Sequence, residues 1–166
     1  MIILCDIDGV LADCSHRLPF LENKDYDRFY SPKEIMEDTP IWVGFEFAEA
    51  LMNAEFGEFG FLTGRPYRTE GATRAWLRKH HYYELSQVPM FMRHDHDYRK
   101  SEVIKAEIMG KYIEHEHPED TILFIDDDPL NVANMRKLHP QVKGLVFGAE
   151  RLDRVRGDRY KEIMEI

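Results

Sequence analysis

Residues that could hold a metal ion or transfer a proton stand at four separated points of this sequence. Asp6 and Asp8 follow the apolar run Ile2–Cys5 and precede Gly9. Residues two apart in an extended segment share a face, so we expect the two carboxylates to project together. Two like charges held this close repel each other. Such a pair is therefore expected where a cation or a shared proton offsets the repulsion, or where a function requires the pair. One interpretation is a magnesium site, because Mg²⁺ prefers such oxygen ligands. The alternative interpretation is a strand end followed by an acidic loop without a function.

The other three points are Thr63, Lys100 and the acidic run of Asp126, Asp127 and Asp128. Taken alone, a threonine at a strand end is typical of a turn or a helix cap, and a lysine that opens a helix is typical of a solvated surface. The acidic run fits a helix cap as well as a metal site. The order in which the four points occur is much more specific than any one of them.

Alternating apolar runs and amphipathic segments predict strands that alternate with helices, which is the pattern of a parallel sheet covered on both faces. Ligands in such sheets bind beyond the carboxyl ends of the strands, and all four polar points fall there. Residues 13–40 are polar, aromatic and rich in proline, and predict a long loop with short helical turns. The predicted strands are 2–5, 57–62, 88–92, 121–125 and 142–147, and the predicted helices are 42–52, 69–80, 100–112 and 129–138.

The composition is that of a globular domain, with 166 residues, 43% hydrophobic and 32% charged. We expect a single domain over residues 1–166, with a loop or small cap-like insert at 11–40 and a charged tail at 150–166. The net charge of −9 argues against a dedicated nucleic-acid binder. No leader-like segment and no run long enough to span a membrane is evident. We therefore expect a cytoplasmic protein with no membrane partner.

The motif order resembles that of the haloacid-dehalogenase-like (HAD-like) hydrolases over nearly the whole chain. Their first motif, DxDG followed by Thr or Val, matches residues 6–10, and their strand-end hydroxyl matches Thr63. Their lysine matches Lys100, and their final acidic pair matches Asp126 and Asp127. The resemblance implies an α/β fold, a three-layer Rossmann-like domain with a five-stranded parallel sheet in the strand order 5-4-1-2-3. The short insert implies little or no cap.

The same resemblance implies a magnesium-dependent phosphatase. Mg²⁺ would be held by Asp6, by the backbone carbonyl of Asp8 and by Asp126. Asp6 would attack phosphorus to form an aspartyl-phosphate. Asp8 would give a proton to the leaving alcohol and later take one from water.

The remaining motif residues would support these steps. The hydroxyl of Thr63 would bind phosphoryl oxygens, and Lys100 would offset charge on the nucleophile and the phosphate. Asp127 would orient a metal-bound water or the lysine from a second layer.

A narrower similarity is to the 3′-phosphatase domains of polynucleotide kinases. It rests on residues 97–100 with the helix that follows, and on Thr63, Gly64 and Arg65. It implies that Arg17, Gly64 and Arg65 contact substrate phosphate, since the arginine fork matches phosphate oxygens, and that Asp97 braces the site. The chain departs from those proteins in having no P-loop and a net acidic charge.

Several interpretations stay open from the sequence. The substrate is either a nucleic-acid 3′-end or a nucleotide-like small molecule, and an open site favours a macromolecular end. A receiver-like phosphoacceptor module also combines aspartates, a hydroxyl and a lysine around magnesium, but the paired Asp8 favours turnover. A non-catalytic scaffold is disfavoured because all four motifs are intact. The sequence does not predict the oligomeric state. The aromatic residues of the insert could stack a base, although packing of the loop is the favoured interpretation; they are Phe20, Tyr26, Phe29 and Tyr30.

Overall fold

The structure, a computed structural model, describes residues 1–55 and 57–148, without the side chains of 113–115. Its main sheet has five parallel strands in the order β5-β4-β1-β6-β7. The first strand of the chain therefore lies in the centre, and successive strands add on either side of it. These strands are β1 (Ile2–Cys5), β4 (Glu58–Pro66), β5 (Met90–Arg93), β6 (Ile122–Asp126) and β7 (Val142–Val146).

The sheet is covered on both faces, which explains why β1 is apolar at every position. Ile3 and Cys5 pack in a core with two helices on one face, and Ile2 and Leu4 pack in a second core on the other face. Strands buried on both sides of a parallel sheet have this continuous apolar character. The helices of the first face are α4 (Trp42–Asn53) and α5 (Glu70–Lys79), and those of the second are α6 (Ser101–His115) and α7 (Pro129–Leu138).

The segment between β1 and α4 forms a small folded insert. A two-stranded antiparallel ribbon closes its base by pairing residues on either side of it. Three helices of one turn or slightly more lie between the two ribbon strands. The insert elements are β2 (Ala12–Asp13), α1 (Leu18–Glu22), α2 (Tyr26–Phe29), α3 (Pro32–Met36) and β3 (Thr39–Pro40).

The structure confirms the predicted fold class and strand order, which reads 5-4-1-2-3 when the five sheet strands are numbered along the chain. The main difference is the second of these strands, which continues to Pro66 and so includes Thr63, Gly64 and Arg65. The predicted tail at 150–166 lies outside the described residues, and a single domain over 1–166 stays a prediction. Among the helices that are described, none has the length and apolar character needed to cross a bilayer.

Candidate active site

Asp6 lies where the central strand β1 ends, at the point where neighbouring connections leave the sheet on opposite faces. Its backbone N–H donates to the carbonyl of Ile125 at 2.8 Å, which continues the ladder with β6 for one residue. The N–H of Ile7 donates to its Oδ1 at 2.8 Å, so one carboxylate oxygen is fixed by the chain itself. Asp6 is 4% exposed. The sheet therefore delivers one oriented, nearly buried carboxylate to its carboxyl edge.

Lys105 is the cation that faces Asp6. Its Nζ lies 2.7 Å from Asp6 Oδ2 and 2.6 Å from Asp126 Oδ2, and thus joins the ends of β1 and β6. Burial lowers the pKa of Lys105, but the two carboxylates outweigh it and hold the pKa well above its ordinary value. Burial raises the pKa of Asp6 to about 7, against the opposing effect of Lys105. A positive charge is thus built into the site beside the candidate nucleophile.

This geometry corrects the lysine chosen from the sequence. Lys100 caps the start of α6, its side chain is 76% exposed, and its Nζ lies 3.8 Å from Glu102. Five residues at 3.6 per turn separate it from Lys105 by about 140° around the helix, so the two cannot occupy one face. Lys105 was not singled out from the sequence, although it lies three and seven residues before the apolar Ile108 and Tyr112. The signal that could have found it is a lysine on the apolar face of a helix, which needs a buried counter-charge.

Three carboxylates gather at this edge as a candidate metal centre. Oxygens of Asp6, Asp126 and Asp127 lie within 4.8 Å of one another. Asp126 is itself held by the Asn131 amide, which donates to both of its oxygens at 2.9 and 3.0 Å. With Lys105 included, three negative charges face one positive charge. This excess and the all-oxygen donor set fit a divalent cation such as Mg²⁺.

Asp127, for which a second-layer role was predicted, has a carboxylate oxygen within 4.8 Å of oxygens of Asp6 and Asp126. Gly9 shows how closely Asp127 approaches the first motif. Gly9 has φ +80, and a Cβ added there would lie 2.0 Å from Asp127 Oδ2. Both the left-handed backbone and the space require glycine. The Asn131 amide was missed by the sequence analysis, because an asparagine in the first turn of a helix has no distinctive pattern.

Asp8 turns away from this cluster into a second, separate group of charges. Arg17 Nη2 lies 2.6 Å from Asp8 Oδ1, and Arg65 reaches the same oxygen at 2.5 Å through Nη2 and Oδ2 at 3.1 Å through Nε. Asp38 completes the group, at 2.8 Å from Arg17 and 2.6 Å from Arg65. Two carboxylates thus balance two guanidinium groups. Burial raises the pKa of Asp8, but Arg17 and Arg65 outweigh it and hold the pKa well below its usual range.

The predicted contact of Arg17 and Arg65 with substrate does not agree with this arrangement. Both side chains are 0% exposed, and each carries ion pairs to Asp8 and Asp38. They position Asp8 instead of facing the cleft. Asp38 was not singled out from the sequence, since it lies in the insert, far along the chain from the motifs. The Trp76 indole donates to its carbonyl at 2.9 Å, which ties the insert to α5.

The other predicted residues lie around the same edge. Thr63 is 0% exposed, and its hydroxyl accepts the N–H of Arg65 at 3.3 Å. Gly64, next in β4, lines the cleft together with Asp6 and Lys105. Asp97 pairs with Arg99 at 2.6 Å, and the hydrogen bonds from this guanidinium lower the Asp97 pKa to about 2. Asp97 therefore braces the loop before α6. Among the described residues, its carboxylate pairs with Arg99 and makes no hydrogen bond or ion pair with the residues around Asp6.

A cleft of about 360 Å³ opens over these groups. Its floor is formed by the ends of β1 and β4, one wall by the insert and the other by residues 98–102. Tyr26 and Tyr98 meet across it with ring centroids 4.8 Å apart. Of the insert aromatics, Phe29 and Tyr30 are buried at 5% and 8% exposure, so packing is what the structure shows for these two.

A comparison with known protein families identifies the family of this chain. The family model of the polynucleotide kinase PNKP phosphatase domain, a HAD domain, matches residues 1–144. The chain belongs to this family. It is therefore a HAD-like phosphatase, and the family predicted from the sequence is confirmed. A comparison with curated proteins gave no significant match.

Solved structures share the fold at low sequence identity. A chain from the Pnkp1/Rnl/Hen1 complex superposes with a TM-score of 0.66 at 20% identity, over 87% of this chain and 45% of that one. A chain from the Pnkp1/Rnl/Hen1 RNA repair complex gives 0.65 at 21% identity, over 89% and 42%. L-2-haloacid dehalogenase from Xanthobacter autotrophicus gives 0.53 at 11% identity, over 94% and 82%. This phosphatase spans less than half the length of the first two chains.

Proposed function

We propose that this phosphatase is magnesium-dependent and removes the terminal phosphate of a nucleic-acid 3′-end through an aspartyl-phosphate on Asp6. The observation that carries the proposal is Lys105, held between Asp6 and Asp126 beside a third carboxylate. Asp6, Asp126 and Asp127 would hold the metal, together with the Asp8 backbone carbonyl expected from the first motif. When bound, Mg²⁺ supplies positive charge that offsets the charge of the phosphate.

Two groups of charged side chains would carry out the chemistry, one around Asp6 and Lys105 and the other around Asp8. In the first step an Asp6 oxygen would bond to phosphorus while the bond to the leaving alcohol breaks. Because Arg17 and Arg65 keep Asp8 ionised in the free protein, Asp8 would first take up a proton, from water or from a monoprotonated phosphate, and then pass it to the leaving alcohol. In the second step Asp8 takes a proton from water, which attacks phosphorus and frees Asp6 as phosphate leaves. Lys105 stabilises the charge that develops near Asp6. Arg17 and Arg65 would keep Asp8 oriented throughout. The Gly64 backbone, which lines the cleft, would bind the phosphoryl oxygens, and the buried Thr63 beside it would hold that part of β4 in place.

We propose a nucleic-acid end as the substrate because of the family match and because basic side chains line the cleft. The net charge of −9 is unfavourable for a long polynucleotide, but the cations Arg93, Arg99 and Lys100 line the cleft itself. A short 3′-end needs only a few such contacts. The Tyr26 and Tyr98 rings could stack a terminal base. The second candidate is a nucleotide phosphatase, which the cleft volume of about 360 Å³ favours because it lies in the range of small-ligand pockets.

Phosphate release from a panel of substrates tests the proposal. The panel contains 3′- and 5′-phosphorylated oligonucleotides, nucleoside monophosphates, sugar phosphates and p-nitrophenyl phosphate, each with and without Mg²⁺. We expect the 3′-phosphorylated oligonucleotide to give the highest kcat/KM, and Asp6→Asn to be inactive on all of them. A preference for mononucleotides would favour the second candidate. Stoichiometric labelling without turnover would refute the phosphatase assignment.

A further inference from the structure

Arg93 is a buried cation that forms no ion pair with any described carboxylate, although its charge helps to lower the pKa of the nearby Asp97. It ends β5 and is 8% exposed. Its Nη1 donates to the carbonyls of Asp97 and Arg99 at 3.0 and 3.2 Å. Its Nε has no hydrogen-bond partner and is inaccessible to water. Among the residues that the structure describes, none accepts a hydrogen bond from its Nη2 or forms an ion pair with it.

One edge of this guanidinium is left for an anion from outside the chain. Nη2 lies beside Gly64 and Ser101, whereas Nε is closed off from solvent. An external oxyanion would therefore be bound through Nη2 and the positive charge, since a charge-assisted hydrogen bond to phosphate needs only one such N–H. A buried cation without a counter-charge is costly, and an anionic partner would reduce that cost.

The Nη2 end of Arg93 lies at the cleft. A Cβ added to Gly64 would lie 3.2 Å from Arg93 Nη2 and 3.2 Å from the Ser101 hydroxyl, so glycine leaves these donors uncovered. Arg93 lines the same cleft as Asp6. Lys105 is already committed to Asp6 and Asp126, at the end of the cleft where phosphoryl transfer is proposed.

We propose that Arg93 is a specificity-determining residue that binds a second phosphate of the substrate, adjacent in the molecule to the phosphate that is removed. The proposal rests on the function proposed above and deepens it. Arg99 and Lys100 also line the cleft, but Arg99 pairs with Asp97 and Glu107, and Lys100 pairs with Glu102. Among the described residues, Arg93 is therefore the cation of this cleft that has no ion pair. A phosphomonoester with a neighbouring phosphate is then preferred over one without it, whether that neighbour is a terminal phosphate or an internucleotide diester.

The experiment compares kcat/KM for three substrates with Mg²⁺. They are a nucleoside 3′,5′-bisphosphate, the matching nucleoside 3′-monophosphate, and p-nitrophenyl phosphate, which carries no second phosphate. The wild-type protein should prefer the bisphosphate over the 3′-monophosphate by about 10-fold or more. Arg93→Gln should lower kcat/KM for the bisphosphate by about 10- to 100-fold, the range expected for lost charge-assisted hydrogen bonds. It should change the other two substrates by less than about 3-fold.

Two further variants sharpen the comparison. Arg93→Lys keeps the charge but loses the planar guanidinium and its Nη2 donor, and should retain an intermediate preference. Arg78→Gln removes the same charge from an exposed position near the far end of α5 and should leave all three values unchanged. Far-ultraviolet circular dichroism and a urea midpoint check that each variant is folded.

The outcomes separate this inference from the proposed function. Equal wild-type kcat/KM values for the bisphosphate and the 3′-monophosphate would overturn the role of Arg93 while leaving the phosphatase intact, and this measurement needs no variant. Equal losses on all three substrates in folded Arg93→Gln would also overturn it, because Arg93 would then serve the reacting phosphate. Absence of wild-type turnover on every substrate would overturn both proposals.

Discussion

Replacing Lys105 by methionine should distinguish the role of Lys105 from that of Lys100, which caps α6, and test the electrostatic reasoning behind the site. Lys105 Nζ lies 2.7 and 2.6 Å from two buried carboxylates. At an effective dielectric constant of about 20, each contact corresponds to about 6 kcal/mol of Coulomb attraction, most of which offsets the loss of hydration. Breaking a buried pair of this kind typically costs about 3–5 kcal/mol of stability. Lys105→Met should therefore lower the free energy of unfolding by about that amount without metal.

Catalysis should suffer independently of stability. We expect turnover of p-nitrophenyl phosphate by folded Lys105→Met to fall by about 1,000-fold, or about 4 kcal/mol of transition-state stabilisation. Lys100→Met is the matched control, because it removes an exposed charge from the same helix. It should stay within about 3-fold in turnover and about 0.5 kcal/mol in stability.

The measurements are urea unfolding with and without Mg²⁺ and initial rates at saturating substrate. Mg²⁺ should restore part of the stability of Lys105→Met, since a divalent cation supplies charge to the same three carboxylates. Two results would refute the reasoning. One is turnover by Lys105→Met within 10-fold of wild type, and the other is a larger loss in Lys100→Met than in Lys105→Met.

Three further perturbations test the rest of the site. Asp6→Asn should abolish turnover, by at least about 1,000-fold, with the fold kept; measurable trapping of acid-stable phosphate on the variant would count against Asp6 as nucleophile. Asp38→Asn should lower the free energy of unfolding by about 3–5 kcal/mol in urea titrations, because it leaves Arg17 and Arg65 short of a buried counter-charge. A loss below about 1 kcal/mol would contradict the balance of two carboxylates against two guanidinium groups. The Asp8 pKa is lowered on folding, so its ion pairs add stability above its unfolded pKa of about 3.9 that is lost as pH falls below it. The stability difference between wild type and Asp8→Asn should thus shrink between about pH 5 and pH 2, and a pH-independent difference would disagree with this.

The sequence determined the fold and most of the catalytic edge because these depend on local patterns. The apolar run before Asp6 specifies a strand buried on both faces, and the motifs that follow the strands meet at one edge because parallel strands share a direction. Asp6, Asp126 and Gly64 therefore lie where the sequence predicted. Pro129 and Asp128 begin α7 at the predicted position, because a capping carboxylate and a proline in the first turn are local signals.

Only the tertiary structure decided which charges meet. Lys100 and Lys105 differ by about 140° around α6, and only the packing of that helix against the sheet shows that the second reaches Asp6. Asp38 reaches Arg65 across 27 residues of chain, a partnership that no local pattern encodes. Burial then makes each pairing obligatory, because an unpaired charge inside the protein is costly. The sequence thus supplies the ionisable groups, while packing decides which of them neutralise one another and which remain for the substrate.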